Sequence, residues 1–240
     1  MIRMTRRNFA PALASTLGCL VLLSGAVDPA AAQAVRKAEF QNMARVEQYQ
    51  MTSRDDEIAM ARSAAPASIS ADAEVLVLGT RGYETAVKGK NGFTCLVMRS
   101  WAASFGDAEF WNAKIRSPIC YNPAAVSTVL PIDLEKTQWV MARLSEAEMR
   151  ARSKSSGIAH KLPAPGSMAY MMSKQQHLSD ADGHWHPHLM MYQPHTELAA
   201  WGANLPGSPV VGFDGGSDEA TVFVVPVVKW SDGTSAAEMH

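Results

Sequence analysis

The chain predicts an α+β domain built on a largely antiparallel sheet. Three observations carry this. Short runs of alternating or apolar β-type residues fall in two blocks, between residues 75 and 98 and between 168 and 229. Helical spacing falls before and between those blocks. No regular strand–helix alternation and no glycine-rich phosphate loop points to a doubly wound sheet. With 47% hydrophobic residues and 240 residues in all, the chain has the means to bury a core as one domain.

The N-terminus has the form of an export signal over residues 1–32. Arg3, Arg6 and Arg7 form a basic start, Ala10 to Ala26 a moderately apolar stretch, and Ala30-Ala31-Ala32 a small-residue cleavage site. Thr5-Arg6-Arg7-Asn8-Phe9 fits the twin-arginine route, although the general secretory route accommodates the same segment. The globular domain is expected over residues 33–240, with no membrane span in the mature chain. Cleavage after Ala32 removes Arg3, Arg6, Arg7 and Asp28, leaving about three more acidic than basic side chains. That balance argues for neither nucleic acid nor anionic lipid as partner. A periplasmic or secreted location follows. The mature chain keeps Cys95 and Cys120, and in an oxidising compartment such a pair reads as a disulfide.

Along the mature chain, Phe40, Met43 and Val46 recur at helical spacing. Ser53 with Asp56 three residues on marks the start of a helix running to Ala61, which Pro66 closes off. A strand around Val75 and Val77 follows, then one from Tyr83 to Val87. Asn91-Gly92 predicts a hairpin turn into a strand from Phe93 to Met98, with Cys95 and Val97 on one face and Leu96 and Met98 on the other. Residues 100–131 have no period and are expected to be tied down by the Cys95–Cys120 bridge. Asp133 to Ser155 is helical, broken at Ser145, which forms a capping box with Glu148. Strands are expected at Met168–Ser173, His184–Tyr192 and Thr221–Lys229, with a helical turn at Thr196–Trp201. Pro226 lacks a ladder donor and implies an edge or a bulge.

Four phrases stand out together: Asn91-Gly92-Phe93-Thr94-Cys95-Leu96-Val97, Ser117-Pro118-Ile119-Cys120-Tyr121-Asn122, Gly183-His184-Trp185-His186-Pro187-His188 and Trp201-Gly202-Ala203-Asn204-Leu205-Pro206-Gly207-Ser208. As a set they resemble a group of exported bacterial proteins of uncharacterised activity. The resemblance spans roughly Asp56 to Ser235. It implies a secreted single-domain protein and assigns neither an activity nor a site residue.

The histidine run carries the sharpest chemical expectation. On a strand, His184, His186 and His188 share one face with Met190 and Tyr192, a face suited to the wall of a cleft. Trp185, Leu189 and Met191 take the opposite face, expected to be the core face. Imidazole is a common metal ligand. Histidines two apart on a strand stand about 6.6–6.8 Å from each other, so two converge on one ion and three on a straight strand do not. His177 and Glu197, with Asp180, Asp182 and His195, are the candidates for a further ligand. The ion would be zinc or, given Met171, Met172, Met190 and Met191, copper. Against a catalytic reading, the chain has no Gly-x-Ser-x-Gly and no complete catalytic motif. Two functions follow. One is a small-molecule or protein binding module of the envelope, with Trp101, Trp111, Trp185, Trp201 and Trp230 available to line an apolar pocket. The other is a metal-binding protein or metal-dependent enzyme centred on the histidine run.

Overall fold

The computed structural model describes residues 39–157, 160–180, 185–214 and 220–236. The proposed signal peptide and His184 lie outside these residues.

Among the described residues the sheet has eight strands: β1 (Glu74–Gly79), β2 (Gly82–Val87), β3 (Thr94–Met98), β4 (Ser117–Tyr121), β5 (Met168–Met171), β6 (His188–Pro194), β7 (Val211–Asp214) and β8 (Ala220–Pro226). Their order is β2-β1-β3-β4-β5-β6-β8-β7. Every neighbouring pair is antiparallel except β1 and β3, which meet in parallel at Glu74–Thr94 and Val75–Cys95. Among the described residues six helices accompany the sheet: α1 (Val46–Tyr49), α2 (Arg54–Arg62), α3 (Ala67–Ser70), α4 (Pro123–Thr128), α5 (Leu130–Met141) and α6 (Glu146–Ser153). The α+β architecture read from the sequence is the one observed.

Local signals explain most of these elements. Ser53 caps α2 by accepting from the Asp56 amide, and Ser145 and Glu148 form the expected capping box at α6. Pro131 sits in the first turn of α5, where an amide donor would have no helical partner. Other expectations shift. The helical spacing at Phe40, Met43 and Val46 yields a single turn, α1. The strand ending at Tyr192 starts only at His188, not His184. Pro226 ends β8 opposite His188, past Val224 where the pairing with β7 ends, so its missing donor falls on an open edge of the sheet, as expected.

One correction concerns topology. The Asn91-Gly92 turn forms: Asn91 Oδ1 accepts from the Phe93 amide, and Gly92 takes φ 80°. It does not join β2 to β3 as a hairpin. β2 pairs with β1 through the tight Gly79–Gly82 connection, and the chain then crosses to the far side of β1 to place β3 there. The Asn91 side chain also donates to the Ile69 carbonyl, and the Lys90 amide to that of Asp72. These bonds fasten the crossover to the end of α3, away from β2.

The two faces of the sheet are covered differently. On one face, Val75, Cys95, Val97 and Cys120 pack against Ala61, Ala64 and Ala65 at the end of α2. Small alanines let the helix approach closely over the disulfide between Cys95 and Cys120, which are direct partners on β3 and β4. Trp201 stacks on Phe223 at 4.4 Å farther along this face. On the other face, Leu96, Ile119, Tyr121, Met171, Tyr192, Val222 and Val224 pack beneath α4 and α5. A third cluster of Tyr49, Leu78, Trp101, Phe110, Trp111, Val140 and Met149 closes one end.

Candidate functional site: a cavity beneath the central helices

Between α4–α5 and the sheet lies a cavity of about 140 Å³. Its size is close to that of an engineered apolar protein cavity of ~150 Å³ that admits benzene. The sheet supplies Met98, Tyr121, Met190, Tyr192 and Val222, and the helices supply Thr128, Val129, Ile132 and Asp133. Alternation places the strand residues: Leu96 and Met98, Ile119 and Tyr121, Met190 and Tyr192, Val222 and Val224 all project to this side. Lys161 and Phe213, both exposed, also line the cavity and mark its mouth.

Asp133 is the one carboxylate of the lining among the described residues. Its place is set by the first turn of α5, and α5 is held by a relay. The Trp101 indole donates to Thr137 Oγ1 at 2.9 Å, and the Thr137 hydroxyl donates to the Asp133 carbonyl at 2.8 Å. The Tyr121 hydroxyl donates to Asp133 Oδ2 at 2.6 Å. Among the described residues Asp133 Oδ1 has no hydrogen-bond partner, and no cation lies within ion-pair distance of the carboxylate. Lys136, one turn on, turns away. Its ammonium donates to the Ala103 carbonyl at 2.5 Å and sits 4.4 Å over the Phe105 ring.

Burial raises the Asp133 carboxyl from the usual carboxylate range to about 6, although the Tyr121 hydroxyl and the Lys136 charge pull the other way. Burial likewise lowers Lys136 to about 8. Burial and the neighbouring Asp133 charge push both Tyr121 and Tyr192 up, so they stay protonated donors. Between about pH 4 and pH 6 the native Asp133 keeps a proton that the unfolded chain has released. Its contribution to stability is therefore full at low pH and is lost as pH rises through 6. We expect Asp133→Asn to remove that loss. The stability difference, variant minus wild type, should climb from pH 4 to pH 6 in urea melts, and a flat difference would show that the carboxyl is not desolvated.

The histidine expectation fares differently. His188 opens β6 and is 3% exposed. Its Nδ1 pairs with the His186 carbonyl oxygen at 2.8 Å, and its ring meets Trp185 edge-on at 5.4 Å. Burial holds its pKa below the ordinary histidine value. His186 is exposed and lies ahead of the strand. His177 is elsewhere, bridged to Arg116 and paired through Nε2 with Asp180 at 2.7 Å. Glu197 is exposed and precedes the 3-10 turn Leu198–Trp201, and His195 is exposed beside it. Among the described residues no three His, Cys, Asp or Glu side chains come together in a metal-holding group. His184 and Asp182 lie outside those residues.

The cleft-wall face was read correctly in part. Met190 and Tyr192 do line a cavity, whereas His188 on the same face lies outside its lining. The face expected to be the core face is the less buried one, with Leu189 and Met191 only half-buried, and Trp185 packs with the opposite cluster. The tryptophans expected to line a pocket stay out of this one. Trp101, Trp111 and Trp230 are buried packing residues, Trp201 stacks on Phe223, and no tryptophan lines this cavity. Sequence reasoning missed Asp133, Tyr121 and Met98 as site residues.

No protein-family model, curated protein or solved structure matches the chain.

Proposed function

We propose that this chain is an exported envelope protein that binds a small molecule in the cavity beneath α4 and α5. One observation carries the reading: a carboxylate with an unpaired oxygen faces an otherwise largely apolar cavity. Ligand pockets characteristically combine apolar walls with a few polar groups of this kind. Export draws support from the basic start, the apolar stretch and the Ala30–Ala32 site, and from the buried Cys95–Cys120 bridge, a bond that persists in oxidising compartments.

A thermal-shift screen of one-ring fragments against the exported chain tests this. A ligand present at a hundred times its Kd stabilises the fold by about 2.7 kcal/mol. The half-buried Ala103 lines the cavity, and Ala103→Leu fills part of that space. We expect fragments that raise the Tm of the wild type and have no effect on Ala103→Leu. Fragments that stabilise both equally, or none that stabilise either, would remove the cavity as the binding site.

A further inference from the structure

The chemistry of the cavity narrows what it accepts. This step rests on the reading of the cavity as a ligand site. Asp133 Oδ2 is engaged by Tyr121, while Oδ1 has no hydrogen-bond partner among the described residues. An ionised carboxylate offers about four acceptor positions on its two oxygens. The side chains that face it from the packed elements are Tyr121 from β4, Tyr192 from β6 and, on its own helix, Lys136. Both tyrosines are neutral donors, and the Tyr192 hydroxyl lies 3.6 Å from Met190 Sδ. The Lys136 ammonium is spent on the Ala103 carbonyl and the Phe105 ring. Lys161 stands at the mouth with its ammonium on the Ser127 carbonyl at 2.8 Å. Thr128 donates to the Ala124 carbonyl, so its proton is committed as well. A half-buried carboxylate thus lines the cavity with no cation in contact with it among the described residues.

The remaining walls point the same way. Tyr121 and Tyr192 present aromatic rings 6.0 Å apart, and Met98 and Met190 present thioethers. Aromatic faces attract cations, and thioethers pack softly against apolar stems. We infer that the cavity takes a small primary ammonium carried on an apolar stem about the size of one ring. The ammonium would donate to Asp133 Oδ1 and the stem would lie between the tyrosines and methionines. No covalent step is involved.

The test compares benzylamine with benzyl alcohol and toluene by calorimetry on the exported chain. Benzylamine should bind at least about tenfold more tightly than either neutral probe, as a charge-assisted hydrogen bond requires. Asp133→Asn, checked for folding by circular dichroism, should weaken benzylamine by about ten- to a hundredfold and leave toluene unchanged. On the wild type alone, benzylamine should bind about tenfold less tightly at pH 5 than at pH 7, because the carboxyl takes up its proton in that window. Benzyl alcohol or toluene binding as tightly as benzylamine, or benzylamine binding that ignores both pH and Asp133→Asn, would overturn the ammonium inference while leaving the cavity a ligand site. No binding by any of the three at millimolar concentration would overturn both.

Discussion

Glu57→Gln is expected to cost about 3 kcal/mol of folding stability, and Glu57→Ala up to about 5 kcal/mol. Glu57 lies on α2 with 3% exposure, and Arg99, just past β3, has 1%. Glu57 Oε1 accepts from the Arg99 guanidinium at 2.8 Å and from the Leu78 amide of β1 at 3.1 Å. Arg99 also donates from Nε to the Tyr49 carbonyl at 2.6 Å and from a terminal nitrogen to the Val97 carbonyl. One ion pair therefore joins α1, α2, β1 and β3. Removing the carboxylate leaves a guanidinium in a dry interior, and Arg116 is a second cation close enough for the two to repel. For a domain of this size the loss corresponds to roughly 10 °C in Tm. Glu57→Leu/Arg99→Met should recover part of the loss seen in Glu57→Leu, because two charges leave together. Recovery should be incomplete, since the Leu78 amide and the Tyr49 and Val97 carbonyls still lose their partners. A Glu57→Gln variant within 0.5 kcal/mol of wild type in urea unfolding, a change no larger than an ordinary surface substitution, would mean that the pair does not hold these elements together.

The sequence disclosed elements where one local rule decides the structure. Ser53 and Ser145 announce helix starts because their hydroxyls satisfy amides three residues away. Cys95 and Val97 announce a face because strand side chains alternate. β4 escaped detection because Ser117-Pro118-Ile119-Cys120-Tyr121 is buried on both faces and shows no alternation, and Pro118 removes a donor. The partner of β3 was misjudged because Asn91-Gly92 reports a turn in the backbone and says nothing of which strand lies alongside afterwards. The cavity was the least visible feature. Its walls come from residues as far apart as Met98 and Val222, and only tertiary packing brings them together. Asp133 reads locally as an ordinary acid in a first helical turn, favoured there by the helix dipole. Its place beside Tyr121 and Tyr192, with the Lys136 ammonium drawn away to the Ala103 carbonyl, exists only once β4 and β6 are beneath it. The histidine run misled for the converse reason. Period-two spacing needs a strand throughout, and β6 begins only at His188.

Loss of the disulfide should be the other large effect. Cys95 and Cys120 are both fully buried, directly opposed on β3 and β4 with Cα atoms 4.0 Å apart, and separated by 25 residues. Cross-linking a loop of that length stabilises by about 3.5 kcal/mol through the entropy removed from the unfolded chain. The enclosed segment holds the irregular stretch between β3 and β4, whose few regular elements give it little stability of its own. Cys95→Ala/Cys120→Ala should therefore lower the Tm by roughly 7–14 °C. Because Ala61 of α2 and Ala64 and Ala65 just past it pack over the bridge, a reductant should leave the native bridge intact in buffer and cleave it once urea opens that segment. The same measurement bears on location. Chain made in a reducing cytosol should match the double variant in Tm and show two reactive thiols on unfolding, while exported chain should show none. Equal Tm for the two preparations would mean that the bridge adds nothing to the fold, and would take from the export proposal its structural support.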